Sequence, residues 1–223
     1  MSSMLMEKLE NSPSAIAELG TDDVHQALAD GALVVDGRSP EAYDACHLPD
    51  SVNVPVGGGE LASRVRMAVG RDPAAIALAG SDVESLALAM VLERAGCGAV
   101  AGILSGGIDA YRAAGYAVGQ QHALAAERVV DDLQLGGAVL VDARDDEDWV
   151  RAHVPGSLHV PLRSVAAAAP VLPQTPVVVA CNDGRRAATA ATILRRRGHA
   201  NIWRVAGGGL PYLLGRRLNL GGV

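Results

Sequence analysis

The segment TPVVVACNDGRRAATAATILRRRG (175–198) sets one thiol, Cys181, between a short apolar run and a long Ala/Arg-rich run. The first run has the length and composition of a buried strand and the second the period of a helix, so Cys181 opens a strand-to-helix turn. Unpaired backbone N–H groups and the helix dipole make such a turn receptive to anions. A thiolate there is stabilised, and Arg185 and Arg186 push the same way. The sequence therefore predicts a Cys181 pKa below the free-thiol value of about 8.5. Gly184 suits a backbone that must visit positive φ while curling round the sulfur. With Asn182 and Asp183 completing the loop, the chemistry to expect is attack by a cysteine nucleophile beside a bound anion. The competing reading is a small buried hydrophobe at a strand end, which free cysteines often are.

The elements that must position this loop follow from the neighbouring periodicity. AVLVDA, SLHVP, PVVVA and NIWRVA read as strands, and DDEDWVRA, RRAATAATILRRRG and the end of GGGLPYLLG as helices. Such alternation predicts an α/β fold with a small, mainly parallel sheet flanked by helices. Sites in these sheets lie beyond the carboxyl ends of the strands, where Cys181 falls.

The whole pattern occurs twice. VVDGRSPEAYDACHLPDSVNVPV (34–56) matches LVDARDDEDWVRAHVPGSLHVPL (140–162) at an offset of 106, pairing Asp36, Arg38 and His47 with Asp142, Arg144 and His153. AIALAGSDVESLALAMVLERAG (75–96) then matches VVVACNDGRRAATAATILRRRG (177–198) at an offset of 102. The change of four falls in the loop GGGELASRVRMAVGRDP, where insertions are tolerated. Two homologous domains are expected at about 15–116 and 127–217. In the first copy Ala79, Asp82 and Glu84 replace Cys181, Gly184 and Arg186, so it lacks a nucleophile and repels anions. Asp142 and Arg144 have counterparts in that copy, which points to a supporting role in tying the strand end to its loops. The same reasoning argues against His153 as a general base.

These residues resemble the rhodanese family of sulfurtransferases. Cys181, Gly184 and Arg186 meet its Cys-x-x-Gly-x-Arg loop, Asp142 and Arg144 its VDAR strand end, and His153, Pro155 and Gly156 its His-x-Pro-Gly element. The resemblance implies a ping-pong transfer. Cys181 takes the outer sulfur of a small anionic donor such as thiosulfate, and the persulfide passes it to cyanide, a thiol or a protein thiol. The amides of Asn182, Asp183, Gly184, Arg185 and Arg186 would hold the persulfide, Arg186 would brace the loop and Arg185 would guide the donor. No metal or organic cofactor is implied. An inactive N-terminal domain beside an active C-terminal one fits the tandem members of the family. Two rivals share parts of this reading: a non-enzymatic sulfur relay or binding module, and a dual-specificity-type phosphatase. The latter places its arginine six residues after cysteine, where this chain has Ala187.

Composition narrows the partners. The net charge of -6 argues against nucleic acid. It divides into -9 for residues 1–123 and +3 for 124–223, which suggests docked domains. No window is apolar for the roughly 18 residues of a membrane span, and the first twenty residues lack a secretory signal, so a cytoplasmic setting is expected. Three widely spaced cysteines indicate neither disulfides nor zinc, and Cys46 and Cys97 read as packing residues. The RRR run at 195–197 reads as a solvated helix C-terminus.

Overall fold

A computed structural model describes residues 16–57, 59–70, 75–97 and 99–216. The expected outer domain limits at 15 and 217 lie outside them. In the first half the elements run β1 (Glu18–Leu19), α1 (Thr21–Ala29), β2 (Leu33–Asp36), α2 (Pro40–Ala45), β3 (Val52–Asn53), α3 (Leu61–Val69), β4 (Ala75–Leu78), α4 (Asp82–Ala95), β5 (Val100–Leu104) and α5 (Gly107–Ala113). The second half has α6 (Ala126–Gln134), β6 (Val139–Asp142), α7 (Asp146–Arg151), β7 (Leu158–His159), α8 (Val165–Ala168), β8 (Val177–Cys181), α9 (Arg185–Arg196), β9 (Ile202–Gly209) and α10 (Leu210–Gly215).

The strands form two parallel sheets, ordered β1-β5-β4-β2-β3 and β7-β6-β8-β9. Their apolar runs explain the parallel pairing, since β2, β4 and β8 are buried throughout and need cover on both faces. The repeat holds to the residue. Asp36 pairs with Leu78 and Asn53 just as Asp142 pairs with Ala180 and His159. In place of β1, the second sheet has a single parallel bridge, Leu124 to Val205.

One apolar core runs through both halves, joining Val35, Val54, Val65 and Leu88 to Val141, Val179, Ala190 and Leu194. The helix α9 makes this possible. Its residues Ala187 to Leu194 are all buried, and the small Ala and Thr side chains admit close neighbours on several faces. Thr192 Oγ1 accepts the N–H of Asn53 from the edge strand β3 at 3.2 Å, so an edge amide that would meet water is satisfied by the other domain. Burial of large apolar side chains stabilises this seam by about 1.5–3 kcal/mol each.

A polar cluster crosses the same seam. Arg204 on β9 is 2% exposed and donates to Asp44 Oδ2 on α2 at 2.6 Å. Gln121 Nε2 donates to Asp44 Oδ1 at 2.6 Å, and Arg195 donates to Gln121 Oε1 and to the Ile202 carbonyl. The RRR run is therefore not uniformly solvated. Arg196 and Arg197 are exposed, but Arg195 is half-buried, because the helix end abuts the linker between the domains.

Candidate active site

Strand β8 shifts its register with β9 between Val179 and Cys181, and the chain leaves the sheet after Cys181, which pairs with Gly209. Gly184, with φ 85°, turns it into α9. This curl aims two amides at the sulfur: Cys181 Sγ accepts the N–H of Gly184 at 3.1 Å and of Ala187 at 3.4 Å. Of the amides expected to surround the sulfur, that of Gly184 donates to it; the Arg185 N–H goes to Asp183 Oδ1 instead, and the second donor, Ala187, lies one residue beyond the expected loop. The expected low pKa does not arise. Cys181 is 1% exposed, and burial pushes its thiol up, against the downward pull of the Ala187, Asp183 and Gly184 amides. The Asp183 carboxylate adds to the rise, with Oδ1 3.8 Å from the sulfur.

The two arginines do not offset burial because both are already paired. Arg185 Nη1 lies 3.0 Å from Asp183 Oδ2, and the Asp183 carboxylate also accepts the Arg185 N–H at 3.1 Å. Arg186 Nη2 donates to Asp145 Oδ2 at 2.8 Å and to Glu60 Oε2, in the other domain, at 3.0 Å. Asn182 turns outward, donating to Asp148 at 3.2 Å and accepting from Arg144 at 3.4 Å.

Asp142 and Arg144 brace the strand end. Arg144 Nη2 donates to Asp142 Oδ2 and to the Ala152 carbonyl, both at 2.7 Å. In the first domain Arg38 Nη2 donates to Asp36 Oδ2 at 2.5 Å and to the Cys46 carbonyl at 2.7 Å, the same fork on the same partners. His153 stacks on Trp149 at 4.0 Å between ring centroids, with Nδ1 3.1 Å from the Trp149 carbonyl oxygen. His47 repeats this on Tyr43. Cys97 is fully buried, and that burial raises its thiol pKa. Cys46 is partly buried.

The first-domain loop is closed. Ala79 N–H donates to Ser85 Oγ at 2.7 Å, and Ser81 caps a helix that starts at Asp82 without a left-handed residue. The hydroxyl of Ser85, the counterpart of Ala187, thus takes up the loop amide.

Sequence reading missed two first-domain residues at the site. Glu60 and Arg64 line a cavity of about 310 Å³ together with Gly59, Asp183, Arg185 and Arg186. Asp183 and Arg185 also border a second cavity of about 530 Å³, which includes Arg38, Glu41 and Glu84. The available signal was the four-residue change of offset in GGGELASRVRMAVGRDP, which holds both missed residues.

Residues 20–114 and 125–210 each match the Rhodanese-like domain family. The chain belongs to the rhodanese-like family. It is 37% identical over 75 residues to the thiosulfate sulfurtransferase GlpE of Pseudomonas savastanoi, covering 32% of this chain and 69% of that protein. A Bacillus subtilis relative named as a sulfur carrier protein, YrkF, is 31% identical over 70 residues, covering 31% of this chain and 38% of its own length. Among solved structures, SseA of Escherichia coli, described with the 3-mercaptopyruvate sulfotransferases, aligns with 84% of this chain and 96% of its own at 16% identity and TM-score 0.39. The two rhodanese-like domains share the braced strand end, and only the second has a cysteine where that loop begins, Cys181 against Ala79.

Proposed function

We propose that this rhodanese-like protein is a sulfurtransferase that moves a sulfane sulfur from thiosulfate, or a persulfide, to cyanide or another thiophilic acceptor through a persulfide on Cys181. Residues 127–217 form the catalytic domain and 15–116 its inactive partner. The observation that carries this reading is the Cys181 sulfur at the strand end under the amides of Gly184 and Ala187. Thiosulfate sulfurtransferases among the relatives support it.

In the first half-reaction the Cys181 thiol gives up its proton. Asp183 Oδ1, 3.8 Å away, is the nearby acceptor. The thiolate attacks the outer sulfur of thiosulfate, a new S–S bond forms, and the old one breaks with its electron pair leaving on sulfite. The amides then stabilise the negative charge on the persulfide. In the second, cyanide attacks the terminal sulfur, thiocyanate departs, and the electron pair returns to Cys181 as thiolate. The sulfur rides on cysteine throughout, so the sequence of bonds balances without a cofactor. Free thiols at Cys46, Cys97 and Cys181 suit a reducing, cytoplasmic compartment.

Thiocyanate formation from thiosulfate and cyanide tests the proposal. Parallel double-reciprocal lines are expected, with turnover abolished by Cys181→Ser. Specificity constants for thiosulfate, glutathione persulfide and mercaptopyruvate then fix the donor, and a clear win for mercaptopyruvate would overturn the donor named here.

A further inference from the structure

Arg64 on α3 is 3% exposed, yet it belongs to the inactive domain and faces the loop of the active one. A guanidinium carries five N–H donors. Arg64 uses Nη1 on the Pro55 carbonyl and Nη2 on the Gly57 carbonyl, each at 2.9 Å, and pairs with no carboxylate among the described residues. A buried cation without a counter-ion is costly. Its neighbours in the cavity wall offset this only in part: the Asp183 carboxylate favours the charge but is bound to Arg185, and Arg185 and Arg186 add two more positive charges.

The remaining carboxylate of that wall is Glu60, held by Arg186 at 3.0 Å. It is an unusual residue to find there. Glu60 has φ 66°, a left-handed conformation that side-chain-bearing residues adopt at a cost, although three glycines precede it in the sequence. Its side chain is 59% exposed, so it can swing away into water.

We infer that the cavity between the domains is the seat of the donor's anionic end, that Arg64 is its binding residue from the inactive domain, and that Glu60 is a built-in counter-ion which the donor displaces from Arg186. This rests on the sulfur-transfer reading and adds a task for the first domain. Once Glu60 leaves, Asp183 still holds Arg185 and Asp145 still holds Arg186, and the sulfonate end of thiosulfate supplies the negative charge that Arg64 lacks and that Glu60 gave Arg186. The cavity, about 310 Å³, has room for an ion of that size. Exchange of one carboxylate for a dianion adds one negative charge beside Arg64, the cation that no carboxylate pairs among the described residues, and the Glu60–Arg186 pair sets a threshold that weak or neutral ligands fail to cross.

The test uses two readouts on the full chain: the thiosulfate concentration for half-maximal persulfide loading of Cys181, and the rise in unfolding midpoint caused by inorganic sulfate, which needs no turnover. Arg64→Gln keeps a donor for the Pro55 carbonyl but removes the charge, and is expected to weaken both by about tenfold, the loss of one charge-assisted contact. Arg64→Lys should retain most of the affinity. Glu60→Gln should tighten both severalfold. Thiosulfate and sulfate affinities unchanged in Arg64→Gln, or in Glu60→Gln if Arg64→Gln does not fold, would overturn the inference. If sulfate follows the expected pattern while the wild type takes up no sulfur, the anion site stands and the sulfur-transfer reading falls.

Discussion

The Gly184 N–H points at the Cys181 sulfur from 3.1 Å, and it does so because Gly184 adopts φ 85°. A side chain at that angle costs about 1–2 kcal/mol. Gly184→Ala is therefore expected to relax the turn, pull the amide off the sulfur and cut sulfur transfer by about tenfold or more. Thiocyanate kinetics alongside urea unfolding would check it. A variant destabilised by that amount but fully active would show that the amide contributes nothing.

Burial raises the Cys181 pKa, against the downward pull of the loop amides. Alkylation by iodoacetamide is expected to speed up steadily with pH and to level off only above the free-thiol value of about 8.5. Stability runs the other way. A thiol whose folded pKa is raised contributes stability below its unfolded pKa, and that contribution is lost as pH rises through the folded value. Alkaline unfolding should therefore be milder in Cys181→Ser. An alkylation plateau already reached at about pH 7 would mean that the amides outweigh burial.

Putting a thiol back into the first domain should not create a second site. Ala79→Cys in a Cys181→Ser background is expected to give no turnover, because Asp82 starts its helix with no left-handed turn and Ser85 already takes the Ala79 N–H. Thiocyanate formation by that double variant would show that loop geometry is dispensable.

Much of this was readable in the residues, and the part that was not has a common cause. Asp36 and Asp142 told their own story, since their partners sit two residues away and recur at one offset. The loop from Cys181 to Arg186 was equally local. The pKa direction of Cys181 is not legible in residue types, which show neither the burial that raises it nor the pairing of the arginines, Arg186 being held by Asp145 and by Glu60 at separations of 41 and 126 residues. Arg195 was misread for the same reason, its partner Gln121 lying 74 residues away. Arg204 and Asp44, separated by 160 residues, left no local pattern at all.

That last pair carries a stability expectation. Asp44→Ala leaves Arg204 buried without its main counter-ion, which typically costs about 3–5 kcal/mol. Asp44→Ala/Arg204→Met should recover most of the loss, since a buried pair replaced by apolar groups is often neutral. Urea denaturation of the two variants decides it, and equal stability of both would place the worth of the seam elsewhere.

Intact-protein mass spectrometry after incubation with thiosulfate, followed by peptide mapping, addresses the persulfide itself. One added sulfur atom, about 32 Da, is expected on Cys181, absent in Cys181→Ser and removed by cyanide. A folded protein that gains no sulfur on Cys181 from thiosulfate or from glutathione persulfide would contradict sulfur transfer by this chain.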